Sequence, residues 1–255
     1  MIRLFLADID GCLSEPYVPF DLDGFRRLRD WGLRAETDDR VPRLGLCSGR
    51  SYAYVEAMAQ ALGLRAPALF ESGGGRFDLA DARITWNPAL TPGTEAALDH
   101  CRAFMLEHIV HRSPTVSFDY GKRTQSGIVS PVVGECETFL PEIEAFVSDA
   151  GLDLTAYHTP YSVDVVPHDL TKVLALEWVA REEGLSMAEV AFIGDTNGDN
   201  IINANDIDNT SFDHDGDGDV DNDDRTALIQ DALFTSAADT DLDRIVGLKD
   251  LGNLA

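Results

Sequence analysis

Two groups of acidic residues follow two apolar runs that lie far apart in the chain. Asp8 and Asp10 come directly after the first run, and Asp195 and Asp199 come after a much later one, Val190 to Gly194. Carboxylate and carbonyl oxygens are ligands that Mg²⁺ prefers, and a carboxylate can also attack phosphorus as a nucleophile. The pattern therefore indicates one site that binds a metal ion and a phosphate group.

The chain offers each group that hydrolysis of a phosphomonoester requires. Asp8 is the candidate nucleophile, and Asp10 is the candidate acid that protonates the leaving oxygen and later activates water. Lys172 supplies a positive charge, which offsets the repulsion between an attacking anion and an anionic substrate. Its position at the start of a predicted helix is unfavourable for a cation. We therefore expect a negative partner beside it, namely Asp8 and the phosphate.

The segment Ser48-Gly49-Arg50 lies between a predicted strand, 43–47, and a predicted helix. Backbone N–H groups at the entry to a helix bind phosphate oxygens, and the Ser48 hydroxyl can join them. We predict that this segment and Lys172 bind the phosphate. The alternatives are an ordinary helix cap for Ser48 and a solvated surface lysine for Lys172.

The predicted metal site draws on both acidic groups. The carboxylates of Asp8 and Asp195 and the backbone carbonyl of Asp10 are expected to hold Mg²⁺. Asp199 is expected to orient these ligands. The sequence thus requires two distant segments to meet in the fold.

The elements that must position these residues are typical of the α/β class. The run Ile2 to Ala7 is nearly all apolar, which predicts a strand buried on both faces of a parallel sheet. Ligands of such sheets bind at the carboxyl ends of the strands, where Asp8 falls. Strands alternate with helices through residues 1–72 and again from residue 168, so we predict a doubly wound parallel sheet with a Rossmann-like topology.

Residues 73–167 interrupt this alternation. They have the pattern of a hairpin, Phe77 to Trp86, followed by helices and further paired strands, which predicts a small α+β insertion with an antiparallel sheet. We therefore predict a discontinuous catalytic core, 1–72 and 168–255, and a cap at 73–167. Basic and aromatic residues of the cap could contact substrate, or could simply be solvated; these are Lys122, Arg123 and Tyr161.

The composition limits the classes of protein and partner. The chain has 255 residues, 44% of them hydrophobic, which is enough for a large core. A formal net charge of -25 argues against nucleic acid or an anionic membrane as partner. The four cysteines are widely spaced, which favours reduced thiols. No signal peptide or bilayer-spanning run is recognised, so we expect a cytoplasmic protein, of undetermined oligomeric state.

The motifs, taken in order, resemble those of the haloacid dehalogenase superfamily of phosphohydrolases. The matching residues are Asp8-Ile9-Asp10-Gly11, Ser48, Lys172 and Gly194-Asp195 with Asp199. The insertion resembles the C2 cap of the Cof-type and sucrose-phosphatase-like branch, and Phe70-Glu71-Ser72-Gly73-Gly74 is similar to the F-E-N-G-G segment of that branch.

This resemblance implies a Mg²⁺-dependent phosphatase that acts through an aspartyl-phosphate intermediate. Its substrate would be a small phosphorylated metabolite, such as a sugar phosphate or phosphoglycolate. A phosphomutase of the same superfamily, which returns the phosphoryl group to a sugar, is the alternative enzyme.

Residues 195–224 form an Asp-rich insertion that does not belong to this pattern. Two stretches place oxygen ligands at the spacing of a calcium loop, the first beginning at Asp195. The second offers six candidate Ca²⁺ ligands, which are Asp213, Asp215, Asp217, Asp219, Asp221 and Asp224.

The stretches resemble the duplicated loops of dockerin modules, so a calcium-binding interaction protein on a catalytically idle core is a further alternative. Asp195 and Asp199 are candidate ligands both of the catalytic Mg²⁺ site and of the first calcium loop. The catalytic interpretation is favoured because a predicted strand precedes Asp195. The second loop is either a Ca²⁺ site or a disordered acidic insertion.

Overall fold

The computed structural model describes residues 1–14 and 16–194. In chain order, the strands and α-helices of these residues are β1 (Leu4–Ala7), α1 (Leu22–Ala35), β2 (Arg43–Cys47), α2 (Tyr52–Leu62), β3 (Ala68–Phe70), β4 (Gly75–Asp78), β5 (Arg83–Trp86), α3 (Pro92–Phe104), β6 (Ser117–Phe118), β7 (Ser126–Val129), α4 (Leu140–Asp149), β8 (Leu154–Thr159), β9 (Ser162–Pro167), α5 (Lys172–Glu182) and β10 (Val190–Ile193). The ten strands of the described residues form two sheets, one of six strands and one of four.

The larger sheet has six strands in the order β10-β1-β2-β3-β4-β5. Its first four members are parallel, and β1 lies between β10 and β2. Ala7, the last residue of β1, pairs with Ile193 on one side and with Leu46 on the other. The carboxyl ends of β1, β2 and β10 therefore lie at the same edge of the sheet, which is where parallel sheets bind ligands.

Helices cover both faces of this sheet. Phe5 and Ala7 of β1 pack in one cluster with α1 and α2, whereas Leu4 and Leu6 pack in a second cluster with α5. Leu4 and Leu6 have no exposed surface, and burying such a side chain contributes about 1.5–3 kcal/mol. The predicted α/β class, a doubly wound parallel sheet with a Rossmann-like topology, is confirmed.

The hairpin of β4 and β5 lies in a different sheet from the one expected. The sequence analysis assigns it to the insertion, but β4 pairs antiparallel with β3, and Ala68 is opposite Phe77. Phe77 is buried in the same cluster as Phe5. The hairpin thus covers the edge of β3, which would otherwise expose unpaired backbone groups. Pairing with the larger sheet continues to Trp86, while the domain boundaries 1–72, 73–167 and 168–255 stay a prediction.

The remainder of the insertion has its own sheet and core. Four antiparallel strands lie in the order β6-β7-β9-β8. Side chains from α3 and α4 pack with those of the strands in one buried cluster, whose fully buried members include Leu98, Ile128, Ile143 and Val163. This α+β unit is the kind of cap that the sequence predicts.

The described chain has two further features that bear on the sequence analysis. No helix within residues 1–14 and 16–194 is both long enough and apolar enough to cross a bilayer. Cys47, Cys101 and Cys136 are buried thiols. Burial raises the pKa of Cys47 to about 12, so this thiol is protonated and unreactive at neutral pH.

Candidate active site

Asp8 is held at the carboxyl end of β1 by its own backbone and by the next residue. The Asp8 N–H donates to the Ile193 carbonyl at 2.9 Å, and the Ile9 N–H donates to Asp8 Oδ1 at 2.7 Å. Asp8 is 5% exposed. Gly194 passes so close that a Cβ there would lie 2.8 Å from the Asp8 Cβ. These contacts hold the Asp8 carboxylate in one orientation.

Lys172 is the cation beside Asp8. It is the first residue of α5, where the helix dipole disfavours a positive charge, and its Nζ lies 2.6 Å from Asp8 Oδ2. Burial alone would lower the pKa of Lys172, but the adjacent Asp8 carboxylate raises it above its usual range. The ammonium therefore stays charged, and the negative partner that its position requires includes Asp8.

The Ser48-Gly49-Arg50 segment follows β2 and approaches the same edge of the sheet. Ser48 is 1% exposed, and its N–H donates to the Leu69 carbonyl at 3.1 Å. Helix α2 begins only at Tyr52, with Ser51 as its N-cap. Ser48 is therefore not the helix cap, and its Oγ accepts a hydrogen bond from the Arg50 N–H at 3.4 Å.

Arg50 makes a contact that the sequence analysis missed. Its guanidinium donates from Nε and Nη2 to the two carboxylate oxygens of Asp10, at 2.6 Å and 2.7 Å. A bidentate pair of this kind fixes the orientation of both side chains. The signal in the sequence is their placement, because both residues follow neighbouring parallel strands and must share one edge of the sheet.

A cavity of about 730 Å³ lies between the larger sheet and the insertion. The predicted residues that line it from the core are Asp8, Asp10, Ser48, Gly49, Arg50 and Lys172. Residues of the insertion also line the cavity, and we call this side the cap wall; its charged and tyrosine side chains include Asp119, Lys122, Tyr157, Tyr161 and Asp164. The structure thus brings together every predicted catalytic or phosphate-binding residue that belongs to the described part of the chain.

The cap wall carries a buried ion pair. Lys122 Nζ lies 2.6 Å from Asp164 Oδ1 and 3.7 Å from Asp119 Oδ2, and the side chains of Lys122 and Asp164 are 7% and 4% exposed. Although burial lowers the pKa of Lys122, the Asp164 carboxylate raises it overall. The cation is therefore retained, but two carboxylates more than neutralise it.

The two other cap candidates have different surroundings. Tyr161 lines the cavity, and its ring packs edge-on against Tyr17 at 5.2 Å between centroids. Arg123 binds Glu95 at 2.7 Å and stacks over Trp86. Tyr161 is therefore placed to contact a ligand, whereas the side chain of Arg123 is occupied elsewhere.

Sequence analysis also missed Asp164 and Tyr157. Asp164 is the charged residue of the otherwise apolar or small-residue strand β9. A buried acid in such a strand requires a partner, and Asp164 has Lys122 as its partner and lines the cavity. Tyr157 lies on β8 and its position on the cap wall depends on the pairing of β8 with β9.

The acidic residues beyond Gly194 lie outside the described residues. This applies to Asp195 and Asp199 and to the six candidate Ca²⁺ ligands from Asp213 to Asp224. Within residues 1–14 and 16–194, no three His, Cys, Asp or Glu side chains cluster as metal ligands. Of the predicted Mg²⁺ ligands, the structure describes Asp8 and Asp10, which line one cavity.

Comparisons with known proteins agree with this architecture. No family model matches the chain. A phosphoglycolate phosphatase of Methanococcoides burtonii is 23% identical over 196 residues, which are 77% of this chain and 76% of that protein.

Solved structures with a similar fold include two hydrolases. A haloacid dehalogenase-like hydrolase from Bacteroides thetaiotaomicron has a TM-score of 0.57 and 17% identity, over 76% of this chain and 82% of that one. The sucrose-phosphatase of Synechocystis has a TM-score of 0.52 and 15% identity, over 78% of each chain. The resemblance predicted from the motifs is confirmed, and the chain has the fold of the haloacid dehalogenase-like hydrolases.

Proposed function

We propose that this protein is a phosphatase that hydrolyses a small phosphomonoester by transferring the phosphoryl group to Asp8. The observation that carries the proposal is the contact of 2.6 Å between a largely buried carboxylate, Asp8, and the Lys172 ammonium on the wall of a ligand-sized cavity. The names of the curated relative and of the solved structures support a phosphoester hydrolase of this kind.

The chemistry would proceed in two displacements. In the first, an Asp8 carboxylate oxygen attacks phosphorus, the bond from phosphorus to the leaving oxygen breaks, and Asp10 donates a proton to that oxygen. In the second, Asp10 takes a proton from water, the water oxygen attacks phosphorus, and the bond from phosphorus to the Asp8 oxygen breaks, which releases inorganic phosphate and regenerates the Asp8 carboxylate. Lys172 offsets negative charge on the phosphoryl oxygens in both steps.

Arg50 and the segment around Ser48 have supporting roles in this scheme. The bidentate contact with Arg50 holds the Asp10 carboxylate beside the phosphate-binding segment and occupies both of its oxygens. One oxygen must therefore leave Arg50 before Asp10 can exchange a proton with the leaving group or with water. The Ser48 hydroxyl and the following N–H groups supply neutral donors for the phosphoryl oxygens. The phosphate would thus lie against the core, and the leaving group would face the cap wall.

The donor set also suits Mg²⁺. The Asp8 carboxylate and the Asp10 carbonyl are hard oxygen donors at one edge of the cavity, and we propose that Asp195 completes the set, with Asp199 orienting it. When bound, the cation would add positive charge beside the phosphoryl group. Lys172 contributes a single positive charge, whereas a dianionic ester carries two negative charges.

The charges of the cap wall favour an uncharged leaving group. Lys122 faces both Asp164 and Asp119, so these three residues together carry a net negative charge. A leaving group with its own carboxylate, such as glycolate, would be repelled there. Hydroxyl groups can donate to the carboxylates and accept from Lys122. We therefore propose a hydroxyl-rich leaving group of the sugar type as the preferred substrate.

A screen of phosphorylated metabolites with Mg²⁺, scored by release of inorganic phosphate, tests this function. Release from sugar phosphates that exceeds release from phosphoglycolate is the expected result. Transfer of the phosphoryl group to a second sugar without phosphate release would identify a phosphomutase instead. Failure to release or transfer phosphate from any ester would overturn the proposal and favour a calcium-binding module on an idle core.

A further inference from the structure

Two consecutive residues after β3 have strained backbones. Glu71 and Ser72 have φ angles of +53° and +55°, a left-handed conformation that residues other than glycine rarely adopt. Such a conformation costs about 1–2 kcal/mol per residue. Both residues are buried, with 1% and 7% of their surface exposed. Strain of this kind persists only where surrounding contacts enforce it, and it is concentrated at functional sites.

The backbone of this pair is fixed to the segment that we propose for phosphate binding. The Glu71 N–H donates to the Arg50 carbonyl at 2.9 Å, and the Ser72 N–H donates to the Ser48 carbonyl at 2.9 Å. Any movement of Glu71 or Ser72 relative to the core would break these bonds. The backbone of Glu71 and Ser72 is therefore held in a fixed position relative to the phosphate-binding segment.

The side chains of the same two residues extend to the cap. Glu71 Oε2 accepts hydrogen bonds from the Arg123 N–H at 2.9 Å, the Thr124 N–H at 2.6 Å and the Thr124 hydroxyl at 2.7 Å. The Ser72 and Tyr157 hydroxyl oxygens both lie within 4 Å of the point that a Cβ on Gly49 would occupy, and both residues line the cavity. Glu71 thus directs its carboxylate into the insertion, and the Ser72 side chain faces the same space as Tyr157 of the insertion.

Close approach of the two regions is part of this arrangement. A Cβ on Gly74 would overlap the side chain of Thr124. Only glycine leaves room for the cap segment to come within reach of the Glu71 carboxylate. The glycine at position 74 is therefore needed for the contact between Glu71 and Thr124.

The cap atoms that are held in this way adjoin the cap wall. Arg123 and Thr124 directly follow Lys122, whose ammonium binds Asp164, and Tyr157 lines the cavity itself. Glu71 is thus hydrogen-bonded to the segment that carries Lys122, and Ser72 faces the cavity beside Tyr157 of the second segment.

We infer that Glu71 and Ser72 are positioning residues that set the distance between the phosphate-binding segment and the cap wall. Their function is to place the Lys122–Asp164 pair and Tyr157 where the leaving group lies, and this inference rests on the proposed phosphatase function. Neither residue takes part in the bond-making steps. Their loss should affect substrates that fill the cap wall more than substrates that do not.

The geometry specifies what Glu71 must supply. All three hydrogen bonds converge on Oε2, and Oε1 has no hydrogen-bond partner among the described residues. One acceptor oxygen is therefore sufficient. A glutamine supplies that oxygen without the charge, whereas an alanine removes it.

The first test compares Glu71→Ala and Glu71→Gln on two substrates, the best sugar phosphate from the screen and p-nitrophenyl phosphate. We expect Glu71→Ala to lower kcat/KM for the sugar phosphate about 10- to 100-fold, since a displacement of about 1 Å can have an effect of that size. The aryl phosphate should lose less than about threefold, and Glu71→Gln should restore both values to within about threefold of wild type.

Glu135→Ala is the matched control. Glu135 accepts hydrogen bonds from the hydroxyl groups of Ser113, Thr115 and Ser130, and all of these partners belong to the insertion. This variant should leave the ratio of the two activities unchanged. Equal losses on both substrates in Glu71→Ala, or a loss of selectivity in Glu135→Ala of the same size, would overturn the inference.

A second measurement is independent of catalysis. Hydrogen exchange at the amides of Arg123 and Thr124 should be slow in the wild type and in Glu71→Gln and markedly faster in Glu71→Ala. Unchanged exchange in Glu71→Ala would overturn the inference even if the protein is an active phosphatase. Conversely, faster exchange in a protein that hydrolyses no ester would refute the proposed function and leave the anchoring contact established.

Thr124→Val keeps the experiment decisive if Glu71→Ala does not fold. It removes one of the three bonds to Glu71 and retains the shape of the side chain. We expect a selective loss on the sugar phosphate that is smaller than for Glu71→Ala. An equal loss on both substrates in a folded Thr124→Val protein would contradict the inference.

Discussion

The core side of the cavity, which we call the floor, is lined by Asp8, Ser48 and Lys172. The floor and the cap wall contain the same pair of chemical groups in different surroundings. On the floor, Lys172 binds Asp8 at 2.6 Å, and on the cap wall Lys122 binds Asp164 at the same distance. The floor pair adjoins the donors of the Ser48 segment, whereas the wall pair adjoins a further carboxylate, Asp119. A lysine–aspartate contact therefore has no fixed function, because its neighbours decide which ligand it favours.

Under the proposed function, this difference would orient the substrate. The phosphoryl group would lie at the floor, beside Lys172 and the donors of the Ser48 segment, and an uncharged, hydroxyl-rich leaving group would face the wall. Replacing Lys172 or Lys122 by the same neutral residue, methionine, tests this difference. The Lys172 variant should lose activity on every substrate, and the Lys122 variant should lose it mainly on substrates that contact the cap wall.

Replacing the floor cation should have the largest effect. Lys172→Met removes the charge that faces the phosphoryl group, so kcat should fall by about 10²- to 10³-fold, as when one donor to a developing anion is lost. The loss should be similar for a sugar phosphate and for p-nitrophenyl phosphate. Steady-state kinetics on both substrates measures it, and Lys172→Arg, which keeps a cation, should lose less. A loss restricted to one substrate would contradict the proposal that Lys172 acts on the phosphoryl group, which both substrates share.

Replacing the wall cation should have a smaller and selective effect. Lys122→Met removes a donor to the leaving group and leaves Asp164 without its ion-pair partner. The kcat/KM for a sugar phosphate should fall about tenfold, the effect of about 1.4 kcal/mol, while p-nitrophenyl phosphate should be nearly unaffected.

The same variant should be less stable. Breaking a buried pair by removing one partner costs about 3–5 kcal/mol, so urea denaturation should show a lower free energy of unfolding. Lys122→Met combined with Asp164→Leu should recover part of that loss. A single variant as stable as the wild type would show that the wall pair is not a buried ion pair in solution.

The smallest expected effect concerns the negative charge of Glu71, the residue that joins the two regions. Burial raises the pKa of the Glu71 carboxyl, although hydrogen bonds from Thr124 and Arg123 act in the opposite direction. A carboxyl whose pKa is higher in the folded state contributes stability below its unfolded pKa and loses it as the pH rises through the folded value.

Glu71→Gln mimics the protonated form at every pH, so it should be more stable than the wild type at neutral pH. The difference should shrink below about pH 4, near the ordinary pKa of glutamate. Urea denaturation at both pH values measures it. A glutamine variant that is less stable than the wild type at neutral pH would show that the negative charge itself stabilises the contact.

The sequence predicts the floor better than the wall, for a physical reason. Asp8, Ser48 and Lys172 adjoin the ends of strands or helices, and the parallel topology gathers such residues at one edge of the sheet. A local pattern is then enough to find them.

The wall depends on pairings that no local pattern specifies. Asp164 and Tyr157 meet Lys122 only through the register of β7, β8 and β9. The hairpin of β4 and β5 shows the same limit, because alternating residues predict a hairpin but not which sheet it joins. The strain at Glu71 and Ser72 likewise runs against the conformations that those residue types favour.

The central claim is that Asp8 becomes covalently phosphorylated, and the direct test is mass spectrometry of the protein quenched in acid during turnover. We expect a phosphoryl adduct on the peptide that contains Asp8 in the wild type, and neither adduct nor turnover in a folded Asp8→Asn variant. Sustained phosphate release by Asp8→Asn, at the wild-type rate and with no adduct in either protein, would contradict it.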